Sequence, residues 1–235
     1  MTKFLENFFV SNPKKLSLVE IVLQSVSTYM KIMPGYELKY RLEHRNIWPE
    51  VEEGISKYGI RNYSIFMKEL MLYSYFEVED LDKTMTQLAQ DSDNQRWQKH
   101  MEKYFDISSG INNGKTVYLK EILYMEGKNS ELPINRVGSL VKFNKQIVED
   151  YEKAHHNFKN AMLQRIDKDK IKNSRIFVHG NNLFIYFEAG NINDGMFMCS
   201  TNNGQQKDNK ISLNEFISSI PECSNLFLDE VYHID

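Results

Sequence analysis

His44 lies in the stretch "KYRLEHRNIWPEVEEGI" (residues 39–55), with Tyr40 one helical turn before it and Ile47 and Trp48 one turn after. An imidazole with an ordinary pKa of about 6.5 can donate or accept a proton near neutral pH. A tyrosine at i−4 projects from the same helical face, where its phenol can bind a polar group or orient the ring. The pair could therefore move a proton. The same spacing equally suits a packed histidine at a helix–sheet boundary, because Val51, Ile55 and Tyr58 continue the apolar stripe.

The element that must carry His44 is a helix over this stripe. Pro49 removes one backbone donor and predicts a kink or restart near Trp48, and Gly59 supplies a stop. "STYMKI" before it reads as a short strand bounded by Pro34 and Gly35, with Met30 either lining a pocket or filling the core. "NYSIFMKELMLYSYFEVED" after it reads as two strands around a turn at residues 68–70. "DLDKTMTQLAQDSDNQRWQKHMEKYF" is a second helix broken or bent around Asp91 to Asn94, and "KTVYLKEILYM" is a last strand.

The order then repeats. Sliding the chain by 111 residues aligns "YRLEHRNI" with "YEKAHHNF", "NYSIF" with "NSRIF" and "LYSYFE" with "LFIYFE", without a gap. From Tyr40 to Glu77, 13 of 38 pairs are identical, where roughly two would be expected from average residue usage. The closing segments "LKEILY" and "LDEVY" also correspond. A duplicated βαββαβ unit is the ferredoxin-like pattern, with helices on one face of an antiparallel sheet. The predicted fold class is α+β: two ferredoxin-like units packed sheet to sheet as a pseudo-dimeric α+β barrel within one chain. The boundaries read as an N-terminal extension over 1–24, a first unit over 25–126, a polar linker over 127–138 and a second unit over 139–235. In the second unit, 146–168 and "SLNEFISSI" read as helices, and Gly180, Asn181 and Asn182 as a hairpin turn.

Composition narrows the partners. A net charge of −3 gives no basic footprint, so nucleic acid is not expected. The two cysteines, Cys199 and Cys223, show neither a disulfide framework nor zinc-ligand spacing. Together with the absence of a signal peptide pattern or an apolar run of about 18 residues, this predicts a cytoplasmic protein that does not engage membranes.

The first unit resembles the L-rhamnose mutarotase family. The resemblance rests on "YRLEHRNIWPEV", "NYSIF", "YFEVED" and "NQRWQKHM", whose order and spacing match over residues 28–124. It implies a barrel of ferredoxin-like units and interconversion of the α and β anomers of a free deoxyhexose. It places His44 at the catalytic acid position and Tyr40, Tyr63 and Trp97 at sugar-contacting positions, with a monosaccharide as the partner and neither metal nor cofactor. Family members commonly follow Q-R-W with a second tryptophan that contacts the sugar, and here that position is Gln98. An amide in place of a stacking surface bears on which sugar is bound.

The second unit keeps Tyr151, His155 and Asn157, but "IWPEV" has become "FKNAM", Tyr63 has become Ser174 and no Q-R-W precedes its last strand. It reads as a degenerate copy that covers the first sheet, with His156 and His179 on the surface. The chain is expected to be a monomer with a pseudo-dimeric core or a homodimer. A non-catalytic sugar-binding or regulatory module is the rival reading, as is, by fold analogy alone, a monooxygenase-like barrel.

Overall fold

The computed structural model describes residues 23–106, 116–128, 135–142, 170–180, 182–191 and 227–235. The two helices expected in the second unit, with Tyr151, His155, His156 and Asn157, lie outside the described residues, as do Cys199, Cys223 and residues 1–22.

The first unit runs β1 (Gln24–Lys31), α1 (Glu37–Arg45), α2 (Pro49–Lys57), β2 (Arg61–Lys68), β3 (Met71–Val78), α3 (Leu81–Gln90) and α4 (Ser92–Met101). Pro49 starts a new helix rather than bending one. It stands at the first turn of α2, where its missing N–H costs nothing, and Trp48 before it is extended at φ −68° and ψ 131°. Gly59 ends this helical region at φ +84°. Asp91 both stops α3 and caps α4, its carboxylate accepting from the backbone N–H groups of Asp93 and Asn94 at 3.0 and 2.9 Å. The β2–β3 turn falls at residues 69–70, with Glu69 at φ +54°.

Alternation along the strands sorts the core into two layers. Val26, Ile65, Met67, Leu72 and Phe76 face helices α1–α4, while Tyr29, Phe66, Tyr73 and Tyr75 face the other sheet. That second sheet contains β5 (Lys120–Glu126), β6 (Asn135–Lys142), β7 (Ile171–His179) and β8 (Asn182–Ala189). Leu140, Phe177, Phe184 and Tyr186 meet the first sheet from this side.

The closing segments depart from the sequence reading. "KTVYLKEILYM" is not one strand of its own sheet: β4 (Val117–Tyr118) pairs with β1, and the chain then crosses so that β5 pairs with β7. The other end mirrors it, for Phe227 bridges Ser139 on β6 and β9 (Asp229–Ile234) crosses back to β2. The sheet orders are β4-β1-β3-β2-β9 and β5-β7-β8-β6. Each unit thus lends its last strand to the other, which closes two antiparallel sheets into a barrel. A second difference is that β6 begins at Asn135, inside the segment expected to be linker. Pairing of Asn135 with Ala189 and Val137 with Phe187 draws those residues into the sheet. His179, expected on the surface, is half-buried. Its ring packs 4.6 Å from that of Tyr29, and burial lowers its pKa.

The pseudo-dyad passes between two equivalent tyrosines. Tyr75 and Tyr186 stack with ring centroids 3.7 Å apart and planes at 13°. Each phenol donates to the glutamate two residues on, Tyr75 to Glu77 at 2.6 Å and Tyr186 to Glu188 at 2.7 Å. The amides of Asn62 and Asn173 reach across, Asn62 to Glu188 at 2.5 Å and Asn173 to the Tyr75 hydroxyl at 3.2 Å. Part of the identity between the units therefore sits where they touch, because a satisfied buried polar cluster fixes one docking register.

Candidate active site

A cavity of about 400 Å³ lies between the helix-facing side of the first sheet and helices α1–α4. That size is in the range of small-molecule sites. His44, Tyr40, Tyr63, Trp97 and Gln98 all line it, as does Met30. Three elements bring the five together: α1 presents Tyr40 and His44 one turn apart, β2 presents Tyr63, and α4 presents Trp97 and Gln98. His44, Tyr40 and Trp97 are buried, whereas Gln98 is exposed and stands at the rim.

His44 is held with defined chemistry. Its Nδ1 is 3.1 Å from the carbonyl oxygen of Tyr40. A carbonyl only accepts, so Nδ1 carries the hydrogen and Nε2 holds the lone pair. Nε2 has no hydrogen-bond partner among the described residues. Burial lowers the imidazole pKa to about 4, against a smaller upward pull from the Tyr40 carbonyl and Glu43. The ring is neutral at pH 7 and free to accept a proton.

The aromatic residues around it are fixed by mutual packing. Tyr40 lies 4.2 Å from the His44 ring, and Trp97 meets His44 edge-on at 5.7 Å and 79°. Trp97 is buttressed by Trp48 at 5.3 Å and by His100 at 5.8 Å. His100 Nε2 is itself 2.9 Å from Glu43 Oε2, and the Tyr104 hydroxyl donates to the other oxygen of that carboxylate at 2.6 Å. Trp48 thus serves packing, as does Arg96, whose guanidinium covers it at 5.2 Å. Burial raises the Tyr40 phenol well above its ordinary pKa, with Tyr63 adding to the shift. It pushes Tyr63 up to about 12. Both are hydrogen-bond donors at neutral pH.

Sequence reasoning missed Tyr232, Thr28, Ser74 and Asn94, which also line the cavity. Thr28 and Ser74 share a hydroxyl–hydroxyl bond of 2.5 Å on the sheet floor. Tyr232 comes from β9, the exchanged strand, and meets His44 and Tyr63 edge-on, both at 5.8 Å. The signal was the correspondence of "LDEVY" with "LKEILY", but only strand exchange carries Tyr232 into this cavity. A Ser-His-Asp chain elsewhere is not a nucleophilic site. Ser64 Oγ is 2.8 Å from His233 Nδ1, and His233 Nε2 is 3.0 Å from Asp235, but Ser64 is fully buried and does not line the cavity. Among the described residues no cluster of His, Cys, Asp or Glu could hold a metal ion, and no helix is long and apolar enough to cross a membrane.

Fold and cavity define a strand-exchanged α+β barrel of ferredoxin-like units, with its site between one sheet and its helices. A crystal structure of a monooxygenase-like protein from Fusobacterium nucleatum shares this architecture over 92% of this chain and 95% of its own, at a TM-score of 0.50 and 8% identity, a likeness of fold alone. The family model for L-rhamnose mutarotase matches residues 25–125 and again residues 136–233. The chain belongs to the L-rhamnose mutarotase family, a family of sugar isomerases, and carries its unit twice. An L-rhamnose mutarotase of Listeria monocytogenes is 33% identical over 105 residues, covering 44% of this chain and 99% of that protein. An L-rhamnose mutarotase of known structure from Formosa agariphila is 23% identical, covering 44% of this chain and 99% of its own, at a TM-score of 0.36.

Proposed function

We propose that the chain interconverts the α and β anomers of L-rhamnose or a related 6-deoxyhexose, with His44 as the general acid/base. Family membership supports the reaction. The observation that carries the assignment to His44 is its neutral imidazole, anchored through Nδ1, with no partner at Nε2 among the described residues, in a cavity that also holds Tyr40, Tyr63 and Trp97.

Changing an anomer requires opening the hemiacetal. His44 Nε2 accepts the proton of the anomeric hydroxyl as C1–O5 breaks, and the imidazolium so formed returns a proton to O5. Both oxygens are borne by C1, so one ring can serve both. After rotation about C1–C2 the steps reverse on the other face and the histidine ends neutral. The acid role implied by the family resemblance is thus the second half of a shuttle that begins from a base. No metal or cofactor is required for this chemistry. The phenols of Tyr40 and Tyr63 donate to sugar oxygens, and the Trp97 ring covers an apolar C–H face. The apolar wall of Ile47, Val51, Leu88 and Met101 suits a methyl group at C6.

That wall gives the test. L-mannose differs from L-rhamnose only by a hydroxyl on C6, and burying an unpaired hydroxyl costs about 1–3 kcal/mol. Anomer exchange measured by saturation-transfer NMR is expected to give kcat/KM roughly tenfold or more in favour of L-rhamnose. Equal values for the two sugars would contradict the 6-deoxy assignment. Binding of L-rhamnose in calorimetry without faster exchange would support a sugar-binding module instead.

The titration of His44 fixes the pH dependence. The active form is neutral, so kcat/KM, corrected for the buffer rate, should stay level from pH 7 to about pH 5 and fall as pH drops through about 4. A fall centred near the ordinary histidine value of about 6.5 would show a solvated ring instead.

A further inference from the structure

The wall of the cavity beside His44 is completed by the end of the second unit. β9 pairs with β2, setting Tyr232 opposite Ile65 on the helix-facing side and His233 opposite Ser64 on the other. The strand is pinned at both ends. Arg41 on α1 donates to Asp229 at 2.8 Å, and Arg136 on β6 donates to Asp235 at 2.6 Å. On this strand the Tyr232 ring lies edge-on to both His44 and Tyr63. Its hydroxyl donates to Glu52 Oε1 on α2 at 3.2 Å. A phenol whose proton is committed to a carboxylate keeps its oxygen lone pairs available to accept, and Tyr232 lines the cavity.

We propose that Tyr232 is a substrate-contacting residue supplied by the second unit, its oxygen accepting a hydrogen bond from a sugar hydroxyl next to the carbon served by His44. Glu52 is a positioning residue that acts through it. The inference rests on the mutarotase reading and deepens it: the degenerate copy completes the working site of the first unit as well as covering its sheet. The first unit already offers phenol donors from Tyr40 and Tyr63 and the acceptor nitrogen of His44. Tyr232 adds a second acceptor, oriented by Glu52, and a sugar hydroxyl needs both a donor and an acceptor to be fully satisfied.

The test is anomer exchange against L-rhamnose concentration for the full chain and for Tyr232→Phe, Glu52→Ala, Glu52→Gln and the Tyr232→Phe/Glu52→Ala pair. A hydrogen bond kept throughout the reaction contributes uniform binding, so Tyr232→Phe should raise KM about fivefold and leave kcat within about twofold. Glu52→Ala should raise KM similarly, and Glu52→Gln, whose amide oxygen still accepts from the phenol, should restore most of the loss. The double variant should be no worse than Tyr232→Phe. An unchanged KM in Tyr232→Phe, or losses that multiply in the double variant, would overturn the proposal. If Tyr232→Phe does not fold, Glu52→Ala against Glu52→Gln decides, and equal KM values there overturn it. Failure of the mutarotase reading is seen separately, as no acceleration by the unaltered chain.

Discussion

His44→Ala is expected to lower the catalysed rate of anomer exchange by about 10²–10⁴-fold, the usual worth of a placed general acid/base. The loss should appear mainly in kcat, since Tyr40, Tyr63 and Trp97, the residues proposed to bind sugar, all remain. Truncation also removes a buried ring packed between Tyr40, Trp97 and Tyr232. A thermal melt on the same preparation separates the two effects. If the folded variant kept a rate within about tenfold of the parent, proton transfer would have to be assigned to another group.

Phe66→Ala is expected to destabilise the chain by about 3–5 kcal/mol, the range for deleting a large buried ring. Domains of ordinary stability unfold with about 5–15 kcal/mol. Phe66 is wholly buried at the seam of the sheets, with Phe184 at 6.0 Å and Tyr186 at 6.1 Å. It projects against Gly138 of β6, where an added Cβ would stand 2.5 Å from the Phe66 ring. Only a glycine leaves room for that ring at this position. Urea unfolding followed by fluorescence and by circular dichroism should show one transition, shifted equally for both signals, because the seam joins both sheets. A shift below about 1 kcal/mol would mean that the sheets are held by other contacts.

The sequence made the first unit legible because its signals are local. The apolar stripe from Tyr40 to Ile55 is helical spacing, Pro49 and Asp91 interrupt helices by chemistry contained within one turn, and residues 68–70 sit between two alternating runs. The five residues expected at the site share one cavity for the same reason: each belongs to an element whose exposed and buried faces follow from its own period. Strand exchange was not legible. "LKEILY" and "LDEVY" alternate alike, and alternation says which face is buried but not which sheet edge supplies the partner. Tyr232 was lost with it. Repeat identity was also more informative than it looked, since Asn62 with Asn173, Tyr75 with Tyr186 and Glu77 with Glu188 record an interface that each copy makes with the other. Ser174 in place of Tyr63 marks the contrast, for the docking residues are kept where that cavity-lining position is not.

On the proposed function, this duplicated chain accelerates the anomer exchange of a free 6-deoxyhexose through His44. Two-dimensional exchange NMR on L-rhamnose at equilibrium measures this directly, because the α and β signals exchange magnetisation only as fast as the ring opens and closes. The exchange rate is expected to rise in proportion to the amount of protein and to fall to near the buffer rate with His44→Ala. An exchange rate equal to that of buffer at every protein concentration would contradict it.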